Sequence, residues 1–374
     1  MWILFFFILL VTSNYVFLIL LFRRGWKKLL AFSPQQTNQL FISVLIPMRN
    51  EESKLPNLLN QLLQQTYPSD QFEILFLNDH SCDHSVDLIE QRKSEFESLK
   101  ILHLTSNHQG KKAAISEGIK ASSGELIVTL DADCLPAATW LETIASFYQE
   151  HKPHVIIGPV IMNDHKKPLT RFISLEFTSL LASTAGAAGI QRPIMCNGAN
   201  LAFKRTLINE IDNIYEAPFA SGDDIFLLEA SKKAGKSIRF CKSSDACVYT
   251  DPPQNIAEFI NQRIRWASKS KYYTDRDLKY TAYTVFLFNT LIVCLLPASI
   301  FLSNLLPVFF ALIFLKSLVD FLLLNPVIKF FSLQAQHHFL NYSTAQIIYP
   351  FYAVSTTILS QFSGYKWKNR IHHS

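Results

Sequence analysis

The chain has 374 residues, 49% of them hydrophobic, with 30 Phe and only 17% charged side chains. That length holds two or three domains with real cores and excludes a disulfide-stapled mini-protein. The formal net charge is +5, with no long basic run outside membrane-type flanks, so no nucleic acid is expected as partner and an anionic lipid surface or nucleotide suits the balance.

The apolar residues are clustered. Trp2 to Phe22 carries no charge and is long enough to cross a bilayer, and Arg23, Arg24, Lys27 and Lys28 follow it directly. Without a basic segment before it or a small-residue cleavage site after it, this stretch reads as an uncleaved anchor. The basic flank places residue 23 onward in the cytoplasm. The six cysteines are scattered with no C-x-x-C and read as reduced and structural. A polar linker, residues 29–40, comes next.

From Phe41 strands and helices alternate. Phe41 to Pro47, Phe72 to Leu77, Lys100 to Leu104 and Leu126 to Leu130 are apolar, strand-like runs. Ser53 to Gln65, Ser85 to Phe96 and Lys111 to Ala121 have helical spacing. Such alternation predicts an α/β fold with a mostly parallel sheet covered on both faces, its ligands gathered beyond the C-terminal strand ends. Pro47, Asn78-Asp79 and Asp131 all fall at such ends. Farther on, His154 to Ile161 reads as strand, Thr170 to Ser183 as helix, the Ala/Gly-rich Ala182 to Gly189 as a mobile loop, and Gly222 to Ala234 as helix.

The last hundred residues return to the membrane. Tyr280 to Phe301 and Leu305 to Leu324 read as spans; Lys316 and Asp320 share one face of the second and are expected to pair with each other or to face protein. Ala345 to Phe362 is weaker. If it crossed, the basic tail Lys366 to Arg370 would lie outside, against the positive-inside rule, so a re-entrant or interfacial segment is favoured. The expected organisation is an anchor with its flank (1–28), a cytoplasmic domain (41–275) and a C-terminal membrane region (276–374).

The most informative motif is Asp131-Ala132-Asp133, two carboxylates ending a buried strand. Two hard oxygen donors there suit a divalent cation gripping a diphosphate, whereas an isolated Asp-x-Asp is more often a polar strand end. Its surroundings alter that balance. Ser43-Val44-Leu45-Ile46-Pro47-Met48-Arg49-Asn50-Glu51-Glu52, Phe76 to Asp83, Gly110-Lys111-Lys112-Ala113-Ala114, Asn197-Gly198-Ala199-Asn200, Gly222-Asp223-Asp224 and Gln262-Arg263-Ile264-Arg265-Trp266 follow in order. Over roughly residues 41–270 the set resembles the membrane-integrated family 2 glycosyltransferases, such as cellulose, hyaluronan and chitin synthases and ceramide glucosyltransferase.

The resemblance implies a GT-A-like, Rossmann-like domain flanked by transmembrane helices. It implies an inverting transfer from a nucleotide sugar, a UDP-sugar first, to a lipid or polysaccharide at the cytoplasmic face. It makes Asp133 the first ligand of Mg²⁺ or Mn²⁺, with Asp131 nearer the nucleotide. Asp224 becomes the general base that takes the acceptor hydroxyl's proton. Trp266 lies beside the acceptor, with Asp223 also on that side, while Gln262 and Arg265 hold the diphosphate. Glu51 and Asp79 stand where a base and ribose lie, and a carboxylate there accepts from N–H or O–H groups. Lys111, ahead of a helix, reaches a phosphate as a point charge. The structural alternatives are a helix-start charge for Glu51, a solvated Lys111, a helix-capping Asp pair at 223–224 and an interfacial anchor for Trp266. Where the family usually has two Asp, this chain has Asn78-Asp79. Arg263, the extra basic residue, is expected only to face lipid headgroups.

A multi-pass protein of a bacterial inner membrane follows, with membrane lipids and export subunits as further partners. Two rivals remain at this stage: a transporter or scaffold with a vestigial nucleotide domain, and a metal-dependent nucleotidyltransferase.

Overall fold

A computed structural model of the chain describes residues 2–34, 40–105, 109–163, 167–211, 223–333, 339–362, 365–367 and 370–372. In chain order the elements begin with α1 (Trp2–Lys28), β1 (Ile42–Met48), α2 (Leu55–Leu63), β2 (Phe72–Asn78), α3 (Ser85–Arg92), β3 (Leu99–His103), α4 (Lys111–Ala121) and β4 (Leu126–Thr129). Then come β5 (Cys134–Pro136), α5 (Trp140–His151), β6 (Val155–Ile157), β7 (Val160–Met162), α6 (Pro168–Gly189), β8 (Leu201–Lys204), α7 (Asp223–Lys233), β9 (Ile238–Phe240) and β10 (Val248–Thr250). The chain closes with α8 (Ile256–Ala267), α9 (Arg276–Phe301), α10 (Leu305–Phe330), α11 (Phe339–Phe362) and the two short strands β11 (Tyr365–Trp367) and β12 (Arg370–His372). These divide into an α/β unit (29–162 and 195–251) and a helical unit (1–28, 163–194 and 252–374).

The α/β unit holds a seven-stranded sheet of order β3-β2-β1-β4-β8-β6-β9. β3, β2, β1 and β4 run parallel, and β8 lies antiparallel between β4 and β6. The central strands are apolar on both faces because helices cover both: Ile42, Val44, Leu45, Ile46 and Ile74 to Leu77 have no exposed surface. A second sheet, β5-β10-β7, follows the Asp-x-Asp turn. The predicted strand over 154–161 is interrupted at Gly158-Pro159, giving β6 in one sheet and β7 in the other.

One buried acid closes the N-terminal edge of the main sheet. Glu73 accepts from the Ser43 hydroxyl (2.7 Å), the Ser123 amide (2.7 Å) and hydroxyl (2.6 Å), and the Lys100 ammonium (2.9 Å). Three neighbouring strands and the turn before β4 are tied through it. Burial pushes its carboxyl up, but the hydrogen bonds from Ser123, Lys100 and Ser43 outweigh burial and hold it at about 2.

In the helical unit α1, α9 and α10 are each long and apolar enough to cross a membrane. The Ala/Gly stretch expected to be a mobile loop is instead the last two turns of α6. Its glycines are packing surface: a Cβ on Gly25 of α1 would fall 1.8 Å from the Gly186 carbonyl oxygen, and one on Gly189 2.1 Å from that of Gly25. Only glycine admits such contact between backbones. Lys316 and Asp320 pair as expected (2.7 Å). The weaker third segment forms helix α11, whose Gln346, Thr356 and Ser360 are buried.

Candidate functional site

The loops after β1 and β2 are fastened to each other. Asn50, at φ 52°, accepts from the Cys82 amide (2.9 Å), and its own amide donates to Ser81 Oγ (3.1 Å). The Glu51 amide donates to Ser85 Oγ (2.8 Å), which fixes the acid's backbone at the mouth of the sheet. Asp79 is 2% exposed; its Oδ2 accepts from the Gly110 amide (3.1 Å), and Arg49 Nη1 lies 3.9 Å from its Oδ1. Gly110, at φ 91°, adopts a conformation only glycine holds without strain. This turns its amide onto Asp79 immediately before α4. Asn78 fills the place of the missing acid as a turn-former: its Oδ1 accepts from the Ser81 amide (2.9 Å), and its Nδ2 lies 3.1 Å from His103 Nδ1.

Lys111, the first residue of α4, reaches across to β4's end, where its Nζ is 2.6 Å from Asp131 Oδ1. Asp131 is half-buried and Asp133 exposed. Their carboxylate oxygens and the Cys134 sulfur lie within 4.8 Å of one another. Two carboxylates are hard donors fit for Mg²⁺ or Mn²⁺. The Cys134 thiol is pushed well up by burial and by the two Asp charges, so it stays protonated beside them. Lys54, bonded to Asp251 (2.9 Å), also feels Asp133 and Glu51, and these raise its pKa. Glu51 and the Asp-x-Asp turn therefore share one electrostatic neighbourhood.

Asp224 arrives from the start of α7. Its Oδ2 accepts from the Gly198 amide (3.1 Å) and its Oδ1 from the Ile225 amide (2.9 Å). Gly198 in turn is tied to β4, since its carbonyl accepts from Thr129 Oγ1 (2.7 Å). A Cβ on Gly198 would lie 3.1 Å from Lys111 Nζ and 3.6 Å from Asp224 Oδ2. Gly198 is thus the point at which the Lys111–Asp131 pair and Asp224 meet. Asn200, from the same motif, faces inward: it accepts from Trp140 Nε1 (2.9 Å) and donates to the Pro159 and Ala246 carbonyls (2.8 Å each). Asp223 opens α7; its side chain, like Gly222, lies outside the described residues.

Gln262, Arg265 and Trp266 lie on α8, in the helical unit, each half-exposed. Arg263 does not face headgroups. It is 5% exposed, paired with Glu176 of α6, and lies over the rings of Phe259 (4.9 Å) and Trp266 (4.2 Å). Its Nη1 donates to Gln262 Oε1 (2.5 Å), and Tyr352 Oη also donates to Glu176 (3.4 Å). Sequence reading missed Glu176, Arg49 and the role of Gly198. Glu176 had one signal, being the only acidic residue between Pro168 and Gly189.

Residues 43–211 match the family described as Glycosyl transferase family 2. This stretch is a family 2 glycosyltransferase domain. The glycosyltransferase domain's relatives include "Probable glycosyltransferase YdaM" of Bacillus subtilis, 27% identical over 62% of this chain and 55% of that one. The chain thus spans little more than half the length of this relative. A Methanococcus voltae protein, "Dolichyl N-acetyl-alpha-D-glucosaminyl phosphate 3-beta-D-2,3-diacetamido-2,3-dideoxy-beta-D-glucuronosyltransferase", is 26% identical over 61% of this chain and 72% of its own length. Among solved structures, a Pyrobaculum calidifontis mannosyltransferase in complex with GDP-Man and Mn²⁺ superimposes with a TM-score of 0.57 at 18% identity, covering 94% of this chain and 97% of that one. The glycosyltransferase domain shares that fold, GT-A-like and mostly parallel.

Proposed function

We propose that the chain is an inverting, metal-dependent glycosyltransferase that moves a sugar from a nucleotide sugar, a UDP-sugar first, to a lipid or glycan at the cytoplasmic face of a membrane. The observation that carries this reading is the meeting of Asp131, Lys111 and Asp224 around Gly198, at the C-terminal edge of the sheet.

Asp133 and Asp131 would hold Mg²⁺ or Mn²⁺, and the ion would supply positive charge against the leaving nucleoside diphosphate. Glu51 and Asp79 face the nucleoside, and Lys111 supplies a positive charge to the diphosphate. Gln262 and Arg265 serve the same diphosphate; Trp266 and Asp223 serve the acceptor. Asp224 removes the proton from the acceptor hydroxyl as that oxygen bonds to the anomeric carbon and the bond to the diphosphate breaks. Two backbone amides orient the Asp224 carboxylate and leave it lone pairs for that proton. One displacement with one base inverts the anomeric centre.

Residues 41–275 form the catalytic segment, with 1–28 as anchor and 276–374 as membrane region. Three crossings by α1, α9 and α10 return the chain to the face of the first basic flank. The C-terminal tail then follows on the side of Arg23 and Lys27.

A donor screen in native membranes tests the reading. UDP release from one UDP-sugar, dependent on a divalent cation and abolished by chelation, is expected. Pyrophosphate release instead would make it a nucleotidyltransferase; release of neither would leave a binding or transport protein.

A further inference from the structure

The helical unit contains a cavity of about 80 Å³. About 10–15 Å³ on the same scale admits one water, so there is room for several waters or one small polar head. Its walls are of two kinds. Ile19, Val285, Leu323 and Leu324 give an apolar side; Glu176, Ser179, Ser183, Lys316, Asp320 and Gln346 give a polar one. A cavity with both characters, among helices apolar enough to cross a membrane, suits an amphipathic guest.

The hydrogen bonds along its polar wall bear on the head it would take. Lys316 directs one N–H to Asp320 (2.7 Å) and one to Gln346 (2.7 Å), and its ammonium lies 4.7 Å from the centre of the Tyr349 ring. Tyr15 donates to Asp320 (2.7 Å). Ser179 and Ser183 donate to the carbonyls of Glu176 (2.6 Å) and Ser179 (2.8 Å) in their own helix. Tyr15, Ser179 and Ser183 have thereby committed their hydroxyl hydrogens, and Lys316 two of its three N–H groups. What the serine oxygens and two carboxylates retain is capacity to accept. Each cation is already matched by an acid, Lys316 by Asp320 and Arg263 by Glu176. A phosphate entering here brings negative charge toward two carboxylates; a polyol brings hydroxyl hydrogens and no charge.

We propose that this cavity binds the uncharged, hydroxyl-bearing head of a neutral lipid and, resting on the function proposed above, that this lipid is the acceptor. Glu176 links the two ideas, because the same carboxylate lines the cavity and holds Arg263 against Trp266.

The test needs no catalysis. The full-length chain in detergent micelles is heated with dioleoylglycerol, or with phosphatidic acid carrying the same acyl chains, without nucleotide sugar or metal. Dioleoylglycerol is expected to raise the unfolding midpoint by about 2–4 °C, and phosphatidic acid not to. Ser179→Leu and Ser183→Leu, which fill the cavity from two positions, are expected to remove the response. An equal or larger shift with phosphatidic acid overturns the proposal, as does a wild-type response in both variants. If neither variant folds, the two lipids on the unaltered chain still decide. A dioleoylglycerol-selective shift without sugar transfer to any acceptor would remove the proposed function and leave the site standing. Sugar transfer without a selective shift would do the reverse.

Discussion

At the scale of single residues, the Asn197 to Asn200 motif shows how one signature serves two ends. Gly198 faces the site and Asn200 the core, two positions apart. In Gly198→Ala the new methyl meets the mobile end of Lys111, which can yield at little cost. The melting temperature should hold while donor affinity falls, as a paired thermal melt and nucleotide titration would show. Asn200→Ala instead takes the partner from the buried Trp140 N–H and Ala246 carbonyl and leaves the Pro159 carbonyl only the Val248 amide, and should cost about 2–4 kcal/mol in a denaturant titration. The acids divide in a similar way. Asp133→Asn should mainly weaken metal-dependent donor binding, and Asp224→Asn should lower turnover by a factor of about 10²–10⁴ with donor affinity retained. Near-normal turnover in Asp224→Asn would remove it as the base. The sequence already showed these acids at strand and helix ends. It did not show that Gly198 is their meeting point, because a glycine's value lies in the side chain it lacks and is visible only once the neighbours are placed.

At the scale of elements, the buried strands were legible because covering a parallel sheet on both faces demands uninterrupted apolar runs. The C-terminal half of α6 was not. Ala and Gly weaken the local helix signal, and here they are required by the approach of α1. Gly186→Leu places a side chain where Phe22's backbone oxygen lies 2.5 Å from an ideal Cβ. It should destabilise the chain by more than about 2 kcal/mol and reduce the yield of monodisperse protein by size-exclusion chromatography. Arg263 was misread for a related reason: its partner lies 87 residues away, and spacing within one helix cannot reveal it. The Glu73 tie between β1, β2 and β3 predicts a pH dependence. Its carboxyl is held at about 2, below the ordinary 4.5. The stabilisation is therefore complete above about pH 4.5 and is lost as pH falls from there toward 2. Glu73→Gln should flatten the slope of unfolding free energy against pH across that window, as measured by urea titrations at stepped pH.

At the scale of the whole molecule, the two units are stabilised by different means, and neither is continuous in the chain. The α/β unit buries a neutral side chain, Asn200, in its core and holds its buried acids, Glu73 and Asp79, at opposite ends of β2. The helical unit keeps charges inside, and Lys316, at 2% exposure, is among its most buried side chains. Spacing and the cost of charge in lipid put Lys316 and Asp320 on one face, with pairing as one of two outcomes, but gave no sign of Tyr15 or Gln346, which come from other helices. A buried pair of this kind is costly to break and cheap to replace. Lys316→Met strands the Asp320 charge and should cost about 3–5 kcal/mol. Adding Asp320→Leu to it removes the stranded charge and should recover more than half of that loss, even though Tyr15 then lacks its acceptor. Unfolding midpoints of the two variants in one detergent would check this. If the double variant proves no more stable than the single, the network contributes net stability of its own, and the acceptor-rich wall is maintained for the fold and not only for what the cavity holds.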